Sequence, residues 1–541
     1  MKFYKICSCI FLFSYFLSPL IAQNNYLSSD LVKAMMEVYE EQLKENPRDY
    51  VTFQRRANDY FNYGEMDKAL DDITNAIKYF PRKEKIDLSQ AYLLRAKIYA
   101  DRKEYRHAFT DLNSALNLNP SLSMALKDRA DLLYKMELYE DSKKDYNTLL
   151  RMDARNQEAY MGLARIEARE GNMVRAKDML SVAVNLSPSS PDIYVRRAEI
   201  YDNMGLDDDA IADLLYAIIL DDSNTNATQA IIKYGNSNYE VTMNGLNQAI
   251  ARNPGAGMLY YLRAVVEKNN NRYSLSAKDW NTIIEKKYFY YHTLFYNRSL
   301  CYFHLAGYQY ALDDILSAIT MDAGNPLYYL HKSAVLRAMG NYKEAVAAAQ
   351  TALEQDSSSA DAAIELSRGM SALKNYDEAR MCLNEAIANN AEHALGYLMR
   401  GYLTETQFKD KKSANLDYER VVSLDVNPVS VRNYKGFALA RLGRTDEAAA
   451  WIDAILANHI SNPSGEDYYY AACLYAQLGE TQLALEHLEE AFKLGYGDFY
   501  NVRENNDPVV SLAPIRKNPR FEEILLKYKN IFDVYVFKKT A

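Results

Sequence analysis

Cysteine is scarce in this chain, which has 5 among its 541 residues. Cys7 and Cys9 lie near the N-terminus, and Cys301, Cys382 and Cys473 follow at intervals of roughly 80 to 90 residues, without metal-site spacing. Zinc-binding cysteines usually occur as closely spaced pairs. The three later cysteines are therefore predicted to be small buried packing residues, with no disulfide framework.

Long apolar runs are also lacking after residue 23, so no later segment is expected to cross a bilayer. One apolar stretch extends from Ile6 to Leu17. Lys2 and Lys5 precede it, and Ala22 supplies a small residue for cleavage. The pattern predicts a secretory signal peptide over residues 1–22, with an uncleaved membrane anchor as the alternative.

Positive charge is in deficit: 63 lysines and arginines stand against 72 aspartates and glutamates, a net charge of -9. Cleavage of the signal would remove Lys2 and Lys5, leaving 61 against 72, or -11. An acidic chain is a poor match for a phosphate backbone, so nucleic acid is not expected as a partner. Membrane contact is expected to be only indirect, unless the N-terminal segment stays uncleaved.

Motifs of catalysis are missing as well. The sequence has no glycine-rich phosphate loop, no His-Glu-x-x-His helix and no nucleophile elbow. Its 7 histidines are scattered, and adjacent aspartates such as Asp71 and Asp72 recur at a regular interval, which is not typical of a single acid/base dyad. We therefore expect no enzyme activity, no catalytic residue, no metal and no cofactor.

What the sequence does contain is a unit of about 34 residues that recurs from Tyr50 to Asp498. Each copy places apolar or small residues at its fourth, eighth and eleventh slots and again at its twentieth, twenty-fourth and twenty-seventh, which is helical spacing on two successive stretches. Glycine often marks the turn slot between them, at Gly64, Gly171, Gly205, Gly340, Gly443 and Gly479. The copies start at residues 50, 89, 123, 157, 191, 223, 257, 292, 326, 360, 394, 429 and 465.

This pattern resembles the tetratricopeptide repeat family over more than four fifths of the chain. The resemblance implies an all-α fold, a right-handed superhelical α-solenoid of about thirteen helix-turn-helix repeats with helical caps at both ends. In such a fold the first helices line a concave groove that binds proteins or peptides.

The register divides the chain into segments. Residues 23–49 are predicted to form an N-terminal capping helix, residues 50–222 repeats 1 to 5, and residues 257–498 repeats 7 to 13. Residues 223–256 form a degraded sixth copy, where Lys233 and Thr242 occupy slots usually held by aromatic and small residues. That copy, or a five-residue insertion from Glu84 to Leu88, is the candidate hinge. Residues 499–541 are predicted to be a C-terminal capping helix and tail.

Seven copies have arginine at the seventh slot. The same copies have aspartate at the slot before the large apolar residue of the second helix. Their shared presence predicts ion pairs that join the two helices of a repeat. The alternative is a ladder of arginines that binds a ligand, but a paired arginine has its donors occupied. The predicted pairs are Arg56 with Asp72, Arg95 with Asp111, Arg129 with Asp145, Arg197 with Asp213, Arg263 with Asp279, Arg298 with Asp314, and Arg400 with Asp417.

Partner-binding slots, by resemblance, lie on the first helices. In repeats 3 to 5 they form a mixed-charge surface, which could equally be an ordinary solvated face; its candidate binding residues are Lys127, Lys135, Arg165 and Arg169. In repeats 7 to 9 they are apolar, which favours a binding surface unless neighbouring repeats bury them; the candidates are Tyr261, Tyr296, Leu300, Phe303, Leu327 and Leu330.

The family's clamp for chaperone carboxylates is predicted to be absent. Asn58 fits one of its asparagine slots, but Gln54, Leu94, Met124 and Asp128 occupy the others. The leading hypothesis is thus a scaffold that binds protein or extended peptide by another chemistry. The alternatives are a binding protein for a cell-wall glycan, held by the aromatic residues around Tyr261 and Tyr296, and a structural assembly factor of an envelope complex.

The N-terminal signal is similar to those of Gram-negative Bacteroidota, with Gln23 following Ala22. This resemblance implies an exported protein that is periplasmic or associated with the outer membrane.

Overall fold

The computed structural model describes residues 29–81, 83–424, 429–457, 463–505, 507 and 509–531. The signal peptide expected over residues 1–22 lies outside them. The described residues form helices and turns, without a β-strand. Between Tyr50 and Lys493 they form thirteen successive helix pairs, one for each predicted copy.

The first helices of repeats 1 to 13 are Tyr50–Asn62, Lys85–Asp101, Ser123–Lys135, Gln157–Arg169, Pro191–Asn203, Thr225–Ser237, Gly257–Asn269, His292–His304, Pro326–Ala338, Ala360–Ala372, Ala394–Thr406, Val429–Arg441 and Gly465–Leu478. The second helices are Met66–Tyr79, Tyr105–Leu118, Tyr139–Met152, Met173–Leu186, Asp207–Leu220, Tyr239–Arg252, Tyr273–Lys286, Tyr308–Met321, Tyr342–Gln355, Tyr376–Asn389, Lys411–Ser423, Thr445–Leu456 and Thr481–Lys493.

The fifth repeat shows why this sequence makes a helix pair. Pro191 occupies the first turn of the first helix, where its missing N–H costs no hydrogen bond. Gly205 adopts a φ of 71°, which ends that helix and turns the chain. Ala198 and Ala210 are both buried, because their small side chains let the two helices approach closely.

The left-handed turn slot is the most regular feature of the backbone. Glycine occupies it in six repeats, with φ between 71° and 86°. Six further repeats adopt the same conformation with another residue, at Lys103, Glu137, Asn271, Ala306, Lys374 and Lys409. The turn therefore comes from the packing of the helix pair, and glycine only makes it less strained.

The sixth copy departs from this geometry, in the segment that the sequence marks as degraded. Its first helix continues through Ser237, and Asn238 then takes an extended φ of -141°. By Cα packing the chain divides into two compact units, one ending at Asn224 and one beginning at Thr225. We call them unit 1 and unit 2 and describe each by itself; a hinge in the sixth copy stays a prediction.

The five-residue insertion does not form a loop. Glu84 precedes a first helix that begins at Lys85, so the insertion lengthens the first helix of repeat 2 by one turn. Leu88 is buried at the end of this insertion. The extra turn thus packs on repeat 1, where Leu88 joins the buried cluster, and a hinge at this insertion stays a prediction.

Unit 1 begins with a helix over Ser29–Glu45. The hydroxyl of Tyr39 donates to Asp59, and that of Thr52 donates to Gln42, so the helix lies on repeat 1. No helix in the described part of the chain combines the length and the apolar composition that crossing a membrane requires.

Unit 2 ends with a segment whose course the sequence did not predict. A five-residue π-helix, Tyr500–Glu504, follows repeat 13, and a further α-helix spans Pro519–Lys527, before a short 3₁₀ turn over Lys529–Ile531. Phe492 and Tyr528 are in contact, with ring centroids 5.6 Å apart, so the last α-helix covers the end of repeat 13.

Cys301, Cys382 and Cys473 are buried free thiols, as their spacing predicts. Cys301 lies on Ser276, with its Sγ 3.3 Å from the serine Oγ. Burial raises the pKa of the Cys301 thiol to about 11, which keeps it protonated and unreactive at neutral pH.

Candidate functional site

All seven arginines lie against the aspartates that the sequence assigns to them. In every pair the arginine Nε donates to Oδ2 at 2.6 to 2.9 Å and Nη2 donates to Oδ1 at 2.6 to 2.8 Å. Each guanidinium therefore meets its carboxylate through two parallel hydrogen bonds and joins the first helix of a repeat to the second.

The third nitrogen of the guanidinium, Nη1, can contact the preceding repeat. The sequence did not predict this contact. Five of the arginines use Nη1 to contact a polar side chain 16 or 17 residues earlier in the chain. The acceptors are Asn113, Ser181, Asn247, Asn281 and Asn384. A search for asparagine at the twenty-fifth slot of the copy before each arginine would have found four of the five.

Aromatic rings lie beside six of the seven arginines along the first helix, on both sides in four of them, whereas Arg129 has leucine at both positions. The guanidinium carbon lies 5.5 to 6.0 Å from ring centroids at the fourth and eleventh slots, as for Arg95 between Tyr92 and Tyr99 and for Arg197 between Tyr194 and Tyr201. Cations over aromatic faces are stabilised by the ring quadrupole. These contacts occupy the arginines within the fold, which favours a structural role over a ligand ladder.

The mixed-charge surface of unit 1 is organised around Asp131. Lys127 donates to it at 3.2 Å, Arg165 at 2.7 Å and the Tyr146 hydroxyl at 2.6 Å. Burial alone would raise the pKa of Asp131, but these three donors outweigh burial and lower its pKa. Arg165 also stacks on the Tyr134 ring, 4.0 Å from its centroid. The candidates Lys127 and Arg165 thus both donate hydrogen bonds to Asp131 within the protein.

Lys135 and Arg169, the other charged candidates of unit 1, are exposed. They end the first helices of repeats 3 and 4. A hydrogen bond with Tyr139 raises the pKa of Arg169 above its ordinary value, so this side chain also contacts the second helix of repeat 3. Their position leaves them available to a partner at the edge of the first-helix face.

A depression of about 480 Å³ lies on the first-helix face of repeats 1 to 3. Its walls combine apolar side chains with side-chain amides, and Met124 is 53% exposed there. The lining residues are Tyr39, Val51, Gln54, Arg55, Asn58, Asp59, Gln90, Leu93, Leu94, Lys97 and Met124. Several of these residues occupy the slots that form the carboxylate clamp in the family. The depression therefore lies where the clamp would be, but its side chains differ from those of the clamp.

The apolar candidates of unit 2 are packed within the protein. Phe303 is buried under Tyr500, at a centroid distance of 4.6 Å. Tyr296 contacts Tyr328, and burial raises the pKa of Tyr296 to about 12. Tyr261 meets the Trp280 ring edge-on at 5.4 Å. Phe303 is therefore covered by the chain's own C-terminal segment, whereas Tyr261 and Tyr296 are half-buried and pack against rings of repeats 7 and 9.

Leu300, Leu327 and Leu330, the remaining apolar candidates, are half-buried. The C-terminal segment 496–515, which the structure describes except for residues 506 and 508 and which we call the strap, contacts the first helix of repeat 8 through Tyr500 and Phe303. Gly495, just before the strap, comes so close to Arg272 that a Cβ there would stand 2.6 Å from the guanidinium carbon. The end of repeat 13 thus meets repeat 7 within unit 2.

No cluster of three or more metal-ligating side chains occurs among the residues that the structure describes. Ser299 and His331 form a buried hydrogen bond of 2.9 Å, and burial lowers the pKa of His331 to about 3. Ser299 also donates to the Ala311 carbonyl at 2.6 Å, so its hydroxyl joins two helices. We interpret this pair as a packing contact.

Models of the tetratricopeptide repeat match residues 127–191, 336–400 and 410–463. These matches and the helix pairs described above establish that the chain contains tetratricopeptide repeats. Its fold is a tetratricopeptide-type α-solenoid.

Among curated proteins, a chloroplastic protein of Arabidopsis thaliana is 31% identical over 102 residues, 18% of this chain and 28% of that protein. The mitochondrial import receptor subunit TOM70 of Mus musculus is 28% identical over 109 residues, 20% of this chain and 18% of that protein. A DnaJ homolog subfamily C member 7 homolog of Dictyostelium discoideum is 26% identical over 144 residues, 27% of this chain and 26% of that protein. The chain thus spans less than a third of the length of these relatives.

Among solved structures, yeast Tom70 aligns with 76% of this chain and 97% of that chain, at 16% identity and a TM-score of 0.36. YrrB, described as a TPR protein with an unusual peptide-binding site, aligns with 36% of this chain and 96% of that chain, at 18% identity and a TM-score of 0.29.

Proposed function

We propose that this protein is a non-enzymatic scaffold that binds a protein partner through an extended segment laid along the first-helix face of repeats 1 to 3. The observation that carries this proposal is the depression of about 480 Å³ in unit 1. It offers exposed apolar surface, at Val51 and Met124, on a face that the rest of unit 1 leaves uncovered. Exposed apolar surface rimmed by polar groups is typical of protein-binding sites.

The lining chemistry favours a peptide over a carboxylate or a nucleic acid. Gln54, Asn58 and Gln90 carry amides that can both donate to and accept from a peptide backbone. Leu94 and Met124 supply an adaptable apolar surface for one large side chain of the partner. A preformed face of this kind binds without a covalent step.

One relative carries a name that fits such a role. TOM70 is named as a mitochondrial import receptor subunit. That name supports a protein partner for this chain and does not identify it.

Site-specific photocross-linking tests the proposal. A photoreactive residue at Asn58 should yield a discrete adduct with a partner protein in cells, and the substitutions L94D and M124D should remove that adduct. The matched control is a photoreactive residue at Lys144, a 74% exposed side chain on the second helix of repeat 3. Equal adducts at Asn58 and Lys144, or adducts that survive L94D and M124D, would contradict binding at this face.

We further propose that the protein is exported and acts in the periplasm or at the outer membrane. The proposal rests on the apolar stretch before Ala22 and on the absence of later apolar runs in the sequence. N-terminal sequencing of the protein from an envelope fraction should begin at Gln23. A mature chain that begins at Met1 would contradict cleavage.

A glycan-binding role is less well supported. Stacking on a sugar needs an exposed aromatic face, whereas Tyr261 contacts Trp280 and Tyr296 contacts Tyr328. The rings that suggested this alternative are used for packing.

A further inference from the structure

The strap of unit 2 has two parts that are held differently. From Val502 onward it is anchored: Val502, Leu512 and Ile515 are at most 2% exposed and belong to the buried cluster of repeats 11 to 13. The residues from Gly497 to Tyr500 make their polar and ring contacts with repeats 7 to 9, while the Phe499 side chain between them also packs against the cluster of repeats 11 to 13. We call these four residues the latch.

The latch is bound mainly by polar contacts. The Gly497 amide donates to the Asn271 carbonyl at 2.9 Å. The Asp498 carboxylate lies 2.8 Å from Nδ1 of His304. Asp498 is 2% exposed, so its charge is almost removed from water and depends on this partner and on the amides of Asn501.

Tyr500 supplies the aromatic part of the latch. Its ring packs on Phe303 at 4.6 Å and approaches Tyr308 at 6.4 Å. Its hydroxyl interacts with Arg337, whose Nε also pairs with Glu365 at 2.6 Å. Burial by itself lowers the pKa of Arg337, but Glu365 and Tyr500 outweigh it, so this cation stays charged beneath the strap.

The charges of the strap and of the face beneath it are complementary. Two of the strap's three carboxylates, Asp498 and Asp507, meet this face, which presents His304, Arg337 and Arg368. Arg368 Nη2 lies 3.5 Å from Asp507. Glu365 of the same face pairs with both arginines, at 2.6 Å from Arg337 and 3.4 Å from Arg368, so two cations stand against one carboxylate. The remaining positive charge suits an acidic segment.

We propose that the first-helix face of repeats 7 to 10 is a binding site for an acidic segment with an aromatic residue close to the acid, and that the latch occupies this site as a built-in ligand. The occupant in the resting protein is the Asp498-Phe499-Tyr500 sequence. A partner with the same chemistry competes with the latch for His304, Arg337 and the Phe303 ring.

Tethering explains why the latch holds the site. A ligand joined to its site by a short linker has an effective concentration of the order of millimolar, so a free peptide competes poorly with it. The anchored part of the strap can stay in place when the latch opens, because its apolar side chains pack on repeats 11 to 13 and not on repeats 7 and 8.

The first test adds the ligand from outside to the full-length protein. The probe is a fluorescent peptide with the sequence of residues 495–507, and binding is followed by anisotropy. The double variant D498A/Y500A should bind the peptide at least about tenfold more tightly than the wild-type protein, because a larger fraction of the site is open. K517A, which changes an exposed residue of the same C-terminal region, is the matched control and should behave as wild type.

Specificity is tested on both sides of the contact. H304A and R337A, introduced into the D498A/Y500A protein, should weaken peptide binding. A peptide that carries the changes D498N and Y500A should not bind. If D498A/Y500A remains folded by circular dichroism and binds the peptide no better than wild type does, the proposal is overturned.

A second measurement needs no substitution and so does not depend on the folding of a variant. Hydrogen exchange on the wild-type protein should show the Gly497 amide, which donates to Asn271, exchanging at least about tenfold faster than the Ile515 amide, which donates to the Leu512 carbonyl, through a local opening. If both amides exchange at one common rate, the strap opens only as part of its core, and the built-in ligand is excluded.

Discussion

Arg197 and Asp213 face each other through two hydrogen bonds, Nε to Oδ2 at 2.7 Å and Nη2 to Oδ1 at 2.8 Å, with side chains 16% and 10% exposed. Removal of one partner leaves the other charge half-buried and unpaired. We expect D213A to lower the free energy of unfolding of unit 1 by about 3 kcal/mol. A double-mutant cycle with R197A should give a coupling energy above about 1 kcal/mol.

The control for this cycle is the exposed pair Lys144 and Asp141, whose side chains are 74% and 55% exposed. Solvent screens such a pair, so its coupling should be close to zero. A coupling energy for Arg197 and Asp213 no larger than that of the exposed pair would show that the two hydrogen bonds contribute nothing net to stability.

Asn281 tests whether the arginines also join neighbouring repeats. It accepts from Arg298 Nη1 at 2.7 Å across the boundary between repeats 7 and 8. We expect N281A to cost about 1 kcal/mol in chemical unfolding. The matched control is N147A, at the same slot of repeat 3, because the following repeat has Leu163 in place of the arginine and Asn147 is exposed. Equal effects of the two substitutions would argue against a bond between repeats.

Glu267 should make unit 2 more stable at acidic pH than at neutral pH. Burial raises the pKa of Glu267 to about 7. The hydrogen bond of 2.8 Å from Tyr239 and the charges of Arg272 and Arg263 act in the opposite direction and lower the pKa, whereas the charge of Asp279 raises it further. Because the folded pKa exceeds the unfolded one, this contribution to stability is complete below about pH 4.5 and is lost as the pH rises through about 7.

The substitution E267Q isolates this effect, since an amide oxygen can still accept from Tyr239. We expect E267Q to be more stable than wild type by up to about 3 kcal/mol at pH 8, and the difference to shrink toward zero near pH 4.5. Urea unfolding of both proteins at several pH values measures it. A difference that does not change with pH would show that Glu267 is not protonated in the folded state at pH 5 to 6.

Gly340 tests the left-handed turn slot. Its φ is 82°, and no atom lies within 4 Å of the position that a Cβ would take, so G340A changes only the backbone preference. We expect a loss of about 1 kcal/mol in thermal or chemical unfolding. Gly255, which also has open space at the Cβ position but no positive φ, is the control, and G255A should be close to neutral. A neutral G340A would mean that the turn tolerates any residue.

Much of the fold could be predicted because its signals are local. Ala198 and Ala210 mark a helix contact within one repeat, and the joint occurrence of Arg197 and Asp213 needed only an alignment of the copies with one another. The bond from Arg298 to Asn281 could have been found in the same way, since both slots recur. The lengthened helix at Lys85 could not, because an insertion by itself does not indicate whether it packs or loops out.

The candidate sites were harder to predict. Tyr261, Tyr296 and Phe303 occupy slots that face a groove in the resemblance, and the sequence left open whether they bind a partner or are buried. Phe303 is covered by Tyr500, and the neighbouring contact between His304 and Asp498 joins residues 194 apart in the chain. Nothing in the repeat pattern connects those two segments.

The sequence by itself determined the helix pair, its left-handed turn, and the arginine and aspartate that join its two helices, because each depends on residues within a single repeat. The tertiary structure decided which first-helix faces remain open. That outcome depends on small rotations between successive repeats, which add up over many copies until distant parts of one unit meet. In unit 2 they bring the strap onto His304 of repeat 8 and the arginines of repeats 9 and 10, whereas in unit 1 the depression around Leu94 and Met124 stays accessible.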